Sequence, residues 1–308
     1  MIVQIYEIQT PHEAENCARL GVDHIGCVLF PEEEGQDRNL KEVMRVSREA
    51  GLKSSLLPLF QERDLVWRAI EDYSPDYVHF CQSLTNHLGQ PAGIEDLVSF
   101  QADFKESFPQ TGIIRTLPVP RKGYGTFSFP HLEVLRSLEE VSDFFLLDTW
   151  IEKEPVKGFI GITGRISNWS AAREIVLNSR IPVILAGGIS PENAHEAVLS
   201  VVPAGIDSCT WTNRVDKEGN PIRFQKDFNK VEALVKEARR AEQALENMKD
   251  HIEETLTRLK AELAEREAAL PAHSIRPHQL LLIEDLEDQI AQKEKELACL
   301  ELAVSIGR

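Results

Sequence analysis

The sequence has few cysteines and no long apolar run. The five cysteines are scattered and form no C-x-x-C pair, so we expect reduced thiols rather than a disulfide framework, and no metal site. No apolar stretch approaches the roughly 20 residues of a membrane-spanning helix, which argues against a membrane partner. The N-terminal segment also lacks a basic stretch followed by an apolar one, as in a secretory signal. We therefore expect a cytoplasmic protein.

Basic residues are scarce relative to acidic ones. The 308 residues include 34 Lys and Arg against 50 Asp and Glu, a formal net charge of −16. Non-specific nucleic-acid binding needs a cationic surface, so we expect no nucleic-acid partner. A small phosphorylated ligand is not excluded, because backbone N–H groups at a loop–helix junction bind phosphate locally.

Short apolar runs alternate with amphipathic stretches over the first 230 or so residues. This alternation is typical of parallel βαβ units, and eight strands in this length favour a (βα)8 TIM barrel. An open doubly wound sheet is the alternative. In a barrel, the active site lies where the strands end. The predicted strands are Ile2–Ile8, Val22–Phe30, Ser54–Phe60, Tyr77–Phe80, Ile113–Pro118, Phe144–Asp148, Pro182–Ala186 and Gly205–Ser208.

The pattern changes near Lys230, after which no glycine occurs until Gly307. Apolar residues then recur at steps of three and four in two long segments, separated by Pro271–Pro277. Each segment predicts a helix with one apolar stripe, and the short turn predicts an antiparallel, coiled-coil-like hairpin. We expect residues 1–235 to form the barrel. Residues 236–308 are expected to form a hairpin for homo-oligomerisation or for docking a protein partner.

Several segments resemble the phosphoribosylanthranilate isomerases of tryptophan biosynthesis. The strongest is Pro182–Asn193, PVILAGGISPEN, which is similar to that family's seventh strand and phosphate loop. Leu146-Leu-Asp148, followed by Gly161–Trp169, resembles the family's sixth strand and the loop after it. Gly205-Ile-Asp207 resembles the last strand. The resemblance covers about residues 1–240 and implies a barrel that isomerises a sugar phosphate without a cofactor.

The resemblance implies a phosphate site at two adjacent loops. Gly187 and Gly188 follow the seventh strand and would let the backbone approach a phosphate closely. Cys209 and Thr210 follow the eighth strand and would face the same phosphate. Trp211 stands where the family has a glycine, which would alter this cradle. A plain tight turn is the structural alternative for the two glycines.

The resemblance also implies a catalytic pair, of which only one member is present. The family's general acid, an aspartate after the sixth strand, matches Asp148. Its general base is the cysteine of a K-x-C-G motif, which here reads Gln4-Ile-Tyr-Glu7. Tyr6 therefore replaces the cysteine, and tyrosine is a poor base unless its pKa of about 10 is shifted. Glu7 is the second candidate base, if the strand has ended and the chain has turned. The alternatives are a solvated loop position for Glu7 and a capping role for Asp148.

Two arginines are candidates for binding an anionic group of the substrate. Arg38 follows the second strand, near the family's arginine for the anthranilate carboxylate. Arg115 lies in the fifth strand and is the second candidate. A guanidinium suits a carboxylate or a phosphate because it can donate two parallel hydrogen bonds. Surface ion pairing is the alternative for Arg38.

Three functions remain open at this point. The first is a phosphoribosylanthranilate-isomerase-like aldose–ketose isomerase, which rearranges a phosphorylated sugar amine with Asp148 and a substitute base. The second is a catalytically inactive barrel that binds a phosphorylated ligand and acts as a sensor. The third is an assembly scaffold that recruits partners through the helical hairpin. An intact Asp148 favours the first function, and the missing cysteine favours the other two.

Overall fold

A computed structural model describes residues 1–30, 38–86, 90–124, 132–270 and 277–305. Eight parallel strands form a closed barrel in chain order, and β1 pairs with β8 to complete it. The predicted (βα)8 barrel is confirmed, and the open-sheet alternative is wrong. The barrel strands are β1 Ile2–Tyr6, β2 His24–Leu29, β3 Lys53–Pro58, β4 Tyr77–Phe80, β5 Gly112–Pro120, β6 Phe144–Trp150, β7 Val183–Leu185 and β8 Gly205–Ser208.

Helices follow the strands and cover the barrel. The start of the first one is fixed locally, since Thr10 and Glu13 form a reciprocal capping box and Pro11 occupies the first helical turn. The helix after β6 is capped by the side chain of Asn168. The helices between the strands are α1 Pro11–Arg19, α2 Arg38–Glu49, α3 Arg63–Tyr73, α4 Ile94–Ser107, α5 Leu132–Glu139, α6 Trp169–Asn178 and α7 Ala194–Val201.

Side chains alternate along the strands between two cores. Val3 and Ile5 of β1 belong to the core between the barrel and its helices, whereas Ile2 and Tyr6 point into the barrel. The same alternation in β5 puts Ile114 inside and Ile113 outside. The position of a residue within its strand therefore decides whether its side chain can reach the barrel interior.

A two-stranded antiparallel hairpin, which the sequence analysis did not predict, follows β8. It consists of β9 Asn213–Val215 and β10 Pro221–Lys226, joined by a turn around Asp216. A short 3-10 helix, Thr210–Thr212, connects β8 to this hairpin. The β9–β10 hairpin thus belongs to the last of the loops at the carboxyl ends of the barrel strands.

Helix α8, Phe228–Ala268, is the last helix of the barrel and continues beyond it without a break. Its first part is fixed to the barrel: Arg239 donates hydrogen bonds to the Met1 and Gly21 carbonyl oxygens and to Asp23. Leu245, further along the helix, is also buried in the hydrophobic core. The expected boundary at residue 235 therefore falls inside a single helix.

Helix α9, Pro277–Ser305, packs against the second part of α8 and also contacts α6. Buried leucines and isoleucines of the two helices face each other, as the two apolar stripes predict; they include Ile252, Leu256, Leu259, Leu286 and Ile290. Residues 271–276 of the predicted turn lie outside the described residues. Among the described helices, none combines the length and the apolar content needed to cross a membrane.

Candidate active site

Two adjoining cavities open at the carboxyl ends of the barrel strands. The barrel cavity is lined by residues that include Tyr6, Glu7, His79, Asp148, Asp207 and Arg223. The loop cavity is lined by residues that include Asp148, Gly164, Gly187, Gly188, Asp207 and Trp211. Asp148 and Asp207 line both cavities and so mark their junction.

Asp148 lies on β6 with its carboxyl group at this junction. Its Oδ1 accepts a hydrogen bond from the backbone N–H of Thr149 at 2.6 Å. Burial raises the pKa of Asp148 to about 6, although the backbone N–H groups of Thr149 and Ile162 favour the ionised form. Gly161 passes so close that a Cβ there would overlap the carboxyl group. A carboxyl group with this pKa can hold or release a proton near neutral pH.

Asp207, on β8, is the second carboxyl group at the junction. Its hydrogen-bonding partner is the side-chain amide of Gln4, with Nε2 and Oδ1 3.2 Å apart. Burial raises the pKa of Asp207 to about 8, against the hydrogen bond from Gln4, and the nearby Asp148 carboxylate raises it further. With these two pKa values, one carboxyl group holds a proton and the other is ionised near neutral pH.

Tyr6 is locked into a polar network inside the barrel. Its hydroxyl lies 2.5 Å from Ser55 Oγ and 2.6 Å from His79 Nδ1, and His79 Nε2 lies 2.6 Å from Thr116 Oγ1. Burial raises the pKa of Tyr6 well above 10 and lowers that of His79 to about 3, so both side chains are neutral. These surroundings disfavour Tyr6 as a general base, because a base must be able to ionise near the working pH.

Glu7 is buried rather than solvated, and both of its carboxylate oxygens accept hydrogen bonds. The strand ends at Tyr6, and Glu7 adopts a left-handed backbone with φ of 62°. Its carboxylate accepts hydrogen bonds from Arg223 Nε at 2.7 Å, from Asn213 Nδ2 at 3.0 Å and from the Phe224 N–H at 3.1 Å. Burial raises the pKa of Glu7, but these bonds and the charges of Lys226 and Arg223 outweigh it, so the pKa is lowered. A carboxylate held in this way is a weak base.

The two glycines expected to bind phosphate form a tight turn beside the loop cavity. Gly187 and Gly188 have φ of 79° and 67°. A Cβ on Gly188 would lie 2.7 Å from the backbone carbon of Arg165, and one on Gly187 would overlap the side chain of Thr149. Both positions thus require glycine for backbone conformation and for space. The turn is closed by Asn193, whose Nδ2 donates to the Gly188 carbonyl at 2.9 Å.

Cys209, Thr210 and Trp211 line the opposite side of the loop cavity. Burial raises the pKa of the Cys209 thiol, which keeps it protonated. Trp211 Nε1 donates a hydrogen bond to the Gly164 carbonyl at 2.9 Å and so joins the loop after β8 to the loop after β6. The indole therefore forms one wall of the cavity where the family has a glycine.

The structure does not bring either predicted arginine to the cavities. Arg38 is an exposed residue that begins α2, and the preceding loop, residues 31–37, lies outside the described residues. Arg115 is completely buried and donates hydrogen bonds to the side chain and the backbone carbonyl of Gln82. Alternation along β5 puts Arg115 on the face of Ile113, toward the helices. Sequence position alone did not reveal this orientation.

Comparison with known proteins assigns the family. No protein-family model matches the chain. The N-(5'-phosphoribosyl)anthranilate isomerase of Methanocella arvoryzae is 30% identical over 227 residues, which cover 73% of this chain and 95% of that protein. The chain belongs to the phosphoribosylanthranilate isomerase family. The Haloferax volcanii isomerase is 33% identical over 173 residues, or 56% of this chain and 69% of that protein. The family is one of isomerases of tryptophan biosynthesis.

Solved structures of this family share the barrel. The phosphoribosyl anthranilate isomerase of Thermus thermophilus matches 77% of this chain and 98% of its own, with a TM-score of 0.54 and 21% identity. Another isomerase, solved with reduced 1-(o-carboxyphenylamino)-1-deoxyribulose 5-phosphate, matches with a TM-score of 0.52 and 16% identity over 78% of this chain and 99% of that one. At these identities the likeness shows the fold. The C-terminal part of α8 and α9 extend beyond it.

Two residues that line the barrel cavity were missed by the sequence analysis. Asp207 lies one residue before the end of the predicted strand Gly205–Ser208, so the argument from barrel geometry that selected Asp148 would also have selected it. Arg223 had no such signal. It comes from the β9–β10 hairpin, and only the fold of that hairpin brings it 2.7 Å from Glu7, which lies 216 positions away in the sequence.

Proposed function

We propose that this protein is an aldose–ketose isomerase that carries out the Amadori rearrangement of a phosphoribosyl amine, with Asp148 and Asp207 as its acid–base pair. The observation that carries the proposal is the position of these two carboxyl groups at the junction of the barrel cavity and the loop cavity. Their pKa values, raised to about 6 and about 8, leave the pair with one proton near pH 7. One proton donor and one proton acceptor are what this reaction needs.

The two cavities suit the two ends of such a substrate. Gly187, Gly188, Cys209 and Thr210 would surround the phosphate in the loop cavity, where the tight turn brings backbone N–H groups close to the ligand. The aglycone would occupy the barrel cavity. The ribose then lies between them, beside Asp148 and Asp207. The substrate is therefore a phosphorylated sugar that carries an amine-linked group.

The proposed reaction has two proton transfers. The acid protonates the ribose ring oxygen as its bond to C1 breaks, and the nitrogen lone pair forms the C1–N double bond. The base then removes the proton from C2, and its electrons move to make an enolamine, which tautomerises to the aminoketose. The family resemblance gives the acid role to Asp148, but the pKa values of about 8 and about 6 put the proton on Asp207 near pH 7 and leave Asp148 as the acceptor in place of the missing cysteine. Hydrogen only moves within the substrate, so no redox cofactor takes part.

The fluorescence decay of freshly prepared phosphoribosylanthranilate, with purified protein, tests this proposal. We expect turnover by the wild type and a loss of about 100-fold or more in Asp148→Asn and in Asp207→Asn. Unchanged turnover in Asp207→Asn would remove that residue from the mechanism. No turnover by a wild type that still binds the reduced product analogue would contradict the isomerase assignment.

That last outcome would support a second function, a catalytically inactive barrel that binds a phosphorylated ligand as a sensor or scaffold. Two observations favour it. Tyr6 occupies the position of the family's base with a neutral, buried side chain. Trp211 replaces a glycine beside the loop cavity. Binding without turnover, of similar strength in the wild type and in Asp148→Asn, would identify this function.

The proposal gives residues 236–308 a separate role in self-association. The buried faces of α8 and α9 cover each other, but Leu280, Leu281 and Leu282 at the start of α9 are exposed. Three adjoining exposed leucines are a small apolar surface of the kind that subunit contacts cover. The proposal also places the protein in the cytoplasm, in keeping with its five free cysteines.

A further inference from the structure

The β9–β10 hairpin brings a cationic side chain to the barrel cavity. Arg223, on β10, lines this cavity together with Glu7, Asp148 and Asp207. Among the described lining residues it is the one cation, because the low pKa of His79, about 3, keeps that ring neutral. Arg223 does not line the loop cavity. Its charge therefore lies at the end of the site away from the glycine turn.

The guanidinium is held in place from two sides. Its Nε donates to Glu7 Oε1 at 2.7 Å, and its Cζ lies 4.8 Å from the ring centroid of Phe224. Phe224 in turn packs edge-on against Phe30, with centroids 6.0 Å apart. Since Nε is the atom that binds Glu7, the two terminal nitrogens remain available, and no described residue accepts a hydrogen bond from them. A pre-oriented guanidinium loses little entropy when it binds a ligand.

Glu7 does not cancel the positive charge of this group. Its carboxylate lies under the influence of both Arg223 and Lys226, and Lys226 Nζ itself bonds only neutral oxygens, those of Cys209 and Asn213. The three side chains together carry one net positive charge. Glu7 stands in place of the glycine of the family's motif. In this protein it holds Arg223 of the β9–β10 hairpin in position.

We propose that Arg223 binds a carboxylate on the aglycone of the substrate, and that Glu7 positions it. This inference rests on the proposed function and adds to it the residue that recognises the aglycone. Arg38 and Arg115, the arginines expected in this role, are not among the described residues that line the two cavities. The terminal N–H groups of Arg223 form the fork that a planar carboxylate accepts as a pair of hydrogen bonds.

Calorimetric titration with two ligands tests the inference without relying on turnover. One ligand is reduced 1-(o-carboxyphenylamino)-1-deoxyribulose 5-phosphate, and the other is its phenylamino analogue without the carboxyl group. We expect Arg223→Gln to weaken binding of the first ligand by about 10- to 100-fold and to leave the second within about 2-fold. Arg214→Gln is the matched control, since Arg214 is an exposed arginine of the same hairpin. It should change neither affinity.

Each other outcome has a definite meaning. Equal weakening of both ligands by Arg223→Gln would show that the arginine serves their common phosphate or the fold, and would overturn the inference. Unchanged binding of both would also overturn it, while leaving the proposed function intact. Failure of the wild type to bind either ligand would contradict the proposed function itself. Glu7→Gln/Arg223→Gln removes both charges of the ion pair and leaves no unpaired charge on buried Glu7, so it gives the same test if the single variant unfolds.

Discussion

The aromatic ring of Tyr6 lies directly against the α-carbon of Gly26, on the neighbouring strand, where any Cβ would overlap it. Gly26 has no side chain, and this leaves the space on β2 that the ring of Tyr6 needs. Its hydroxyl is equally well accommodated, between Ser55 and His79. Tyr6 is a packed residue of the barrel interior, which is why its replacement of the cysteine does not by itself supply a new base.

We expect Gly26→Ala to lower the free energy of unfolding by about 1–3 kcal/mol, because the new methyl group collides with the Tyr6 ring. In a Tyr6→Ala background the space is empty, so the same substitution should cost much less. A double-mutant cycle by chemical denaturation measures this coupling, which should be on the order of 1 kcal/mol or more. Additive effects of the two substitutions would contradict the contact.

The pair of carboxyl groups predicts a bell-shaped pH dependence of kcat/KM. Activity should rise as the pH passes about 6, where the pair loses its first proton and gains a base. It should fall as the pH passes about 8, where the second proton is lost and no acid remains. Initial rates between pH 5 and 9.5 measure the two limbs. A profile that is flat from pH 6.5 to 9.5 would exclude a shared proton on Asp148 and Asp207.

Gly188→Ala should weaken ligand binding at the loop cavity. A Cβ at this position meets the backbone of Arg165 at 2.7 Å, and φ is 67°. Ala there costs about 1–2 kcal/mol in backbone strain, and the collision must also displace the loop after β6. We expect KM for phosphoribosylanthranilate to rise about 10-fold or more, measured by steady-state kinetics.

Gly93→Ala is the matched control, since Gly93 has the same φ of 67° but no atom within 4 Å of its Cβ position. It should reproduce the loss of stability caused by backbone strain and leave KM unchanged. Equal values of KM in both variants would show that the turn at Gly188 does not shape the ligand site.

Removal of the projecting part of the helical hairpin should reduce the number of subunits in the assembly. A chain ending at Lys249 keeps Arg239 and Glu242, which hold α8 to Met1 of the barrel, and it keeps the buried Leu245. A chain ending at residue 235 would also lose the buried Ala238 and Ala241, and we expect it to be unstable. Light scattering on the Lys249 chain should show a drop in mass larger than that of the deleted residues.

A second variant separates the exposed leucines from the hairpin as a whole. Replacement of Leu280, Leu281 and Leu282 by glutamine retains both helices and removes the apolar surface at the start of α9. It should reduce the subunit number as truncation does. If both variants keep the wild-type subunit number, either the barrel makes the interface or the protein is a monomer.

Much of the barrel could be predicted from the sequence, for a local reason. A buried parallel strand is a short apolar run between turn signals, so Tyr77–Phe80 and Gly205–Ser208 were predicted with the bounds that they have in the structure. Helix α1 carries its own start signal in Thr10, Pro11 and Glu13. The β9–β10 hairpin was missed although Ile222 to Gln225 alternate apolar and polar side chains, because this run is short and β9 has only three residues.

The order of strands and helices, the family resemblance, and Asp148 and the glycine turn as members of the candidate site could all be predicted from the amino-acid sequence. These depend on patterns within a few residues, or on motifs that stay together along the chain. Which side chains meet depends on the tertiary fold. The fold turns Arg115 away from the cavity and buries Glu7. It also brings Arg223 to Glu7, although the two residues are 216 positions apart in the sequence. These contacts form when the barrel closes, because closure brings together residues that are far apart in the sequence and share no local pattern.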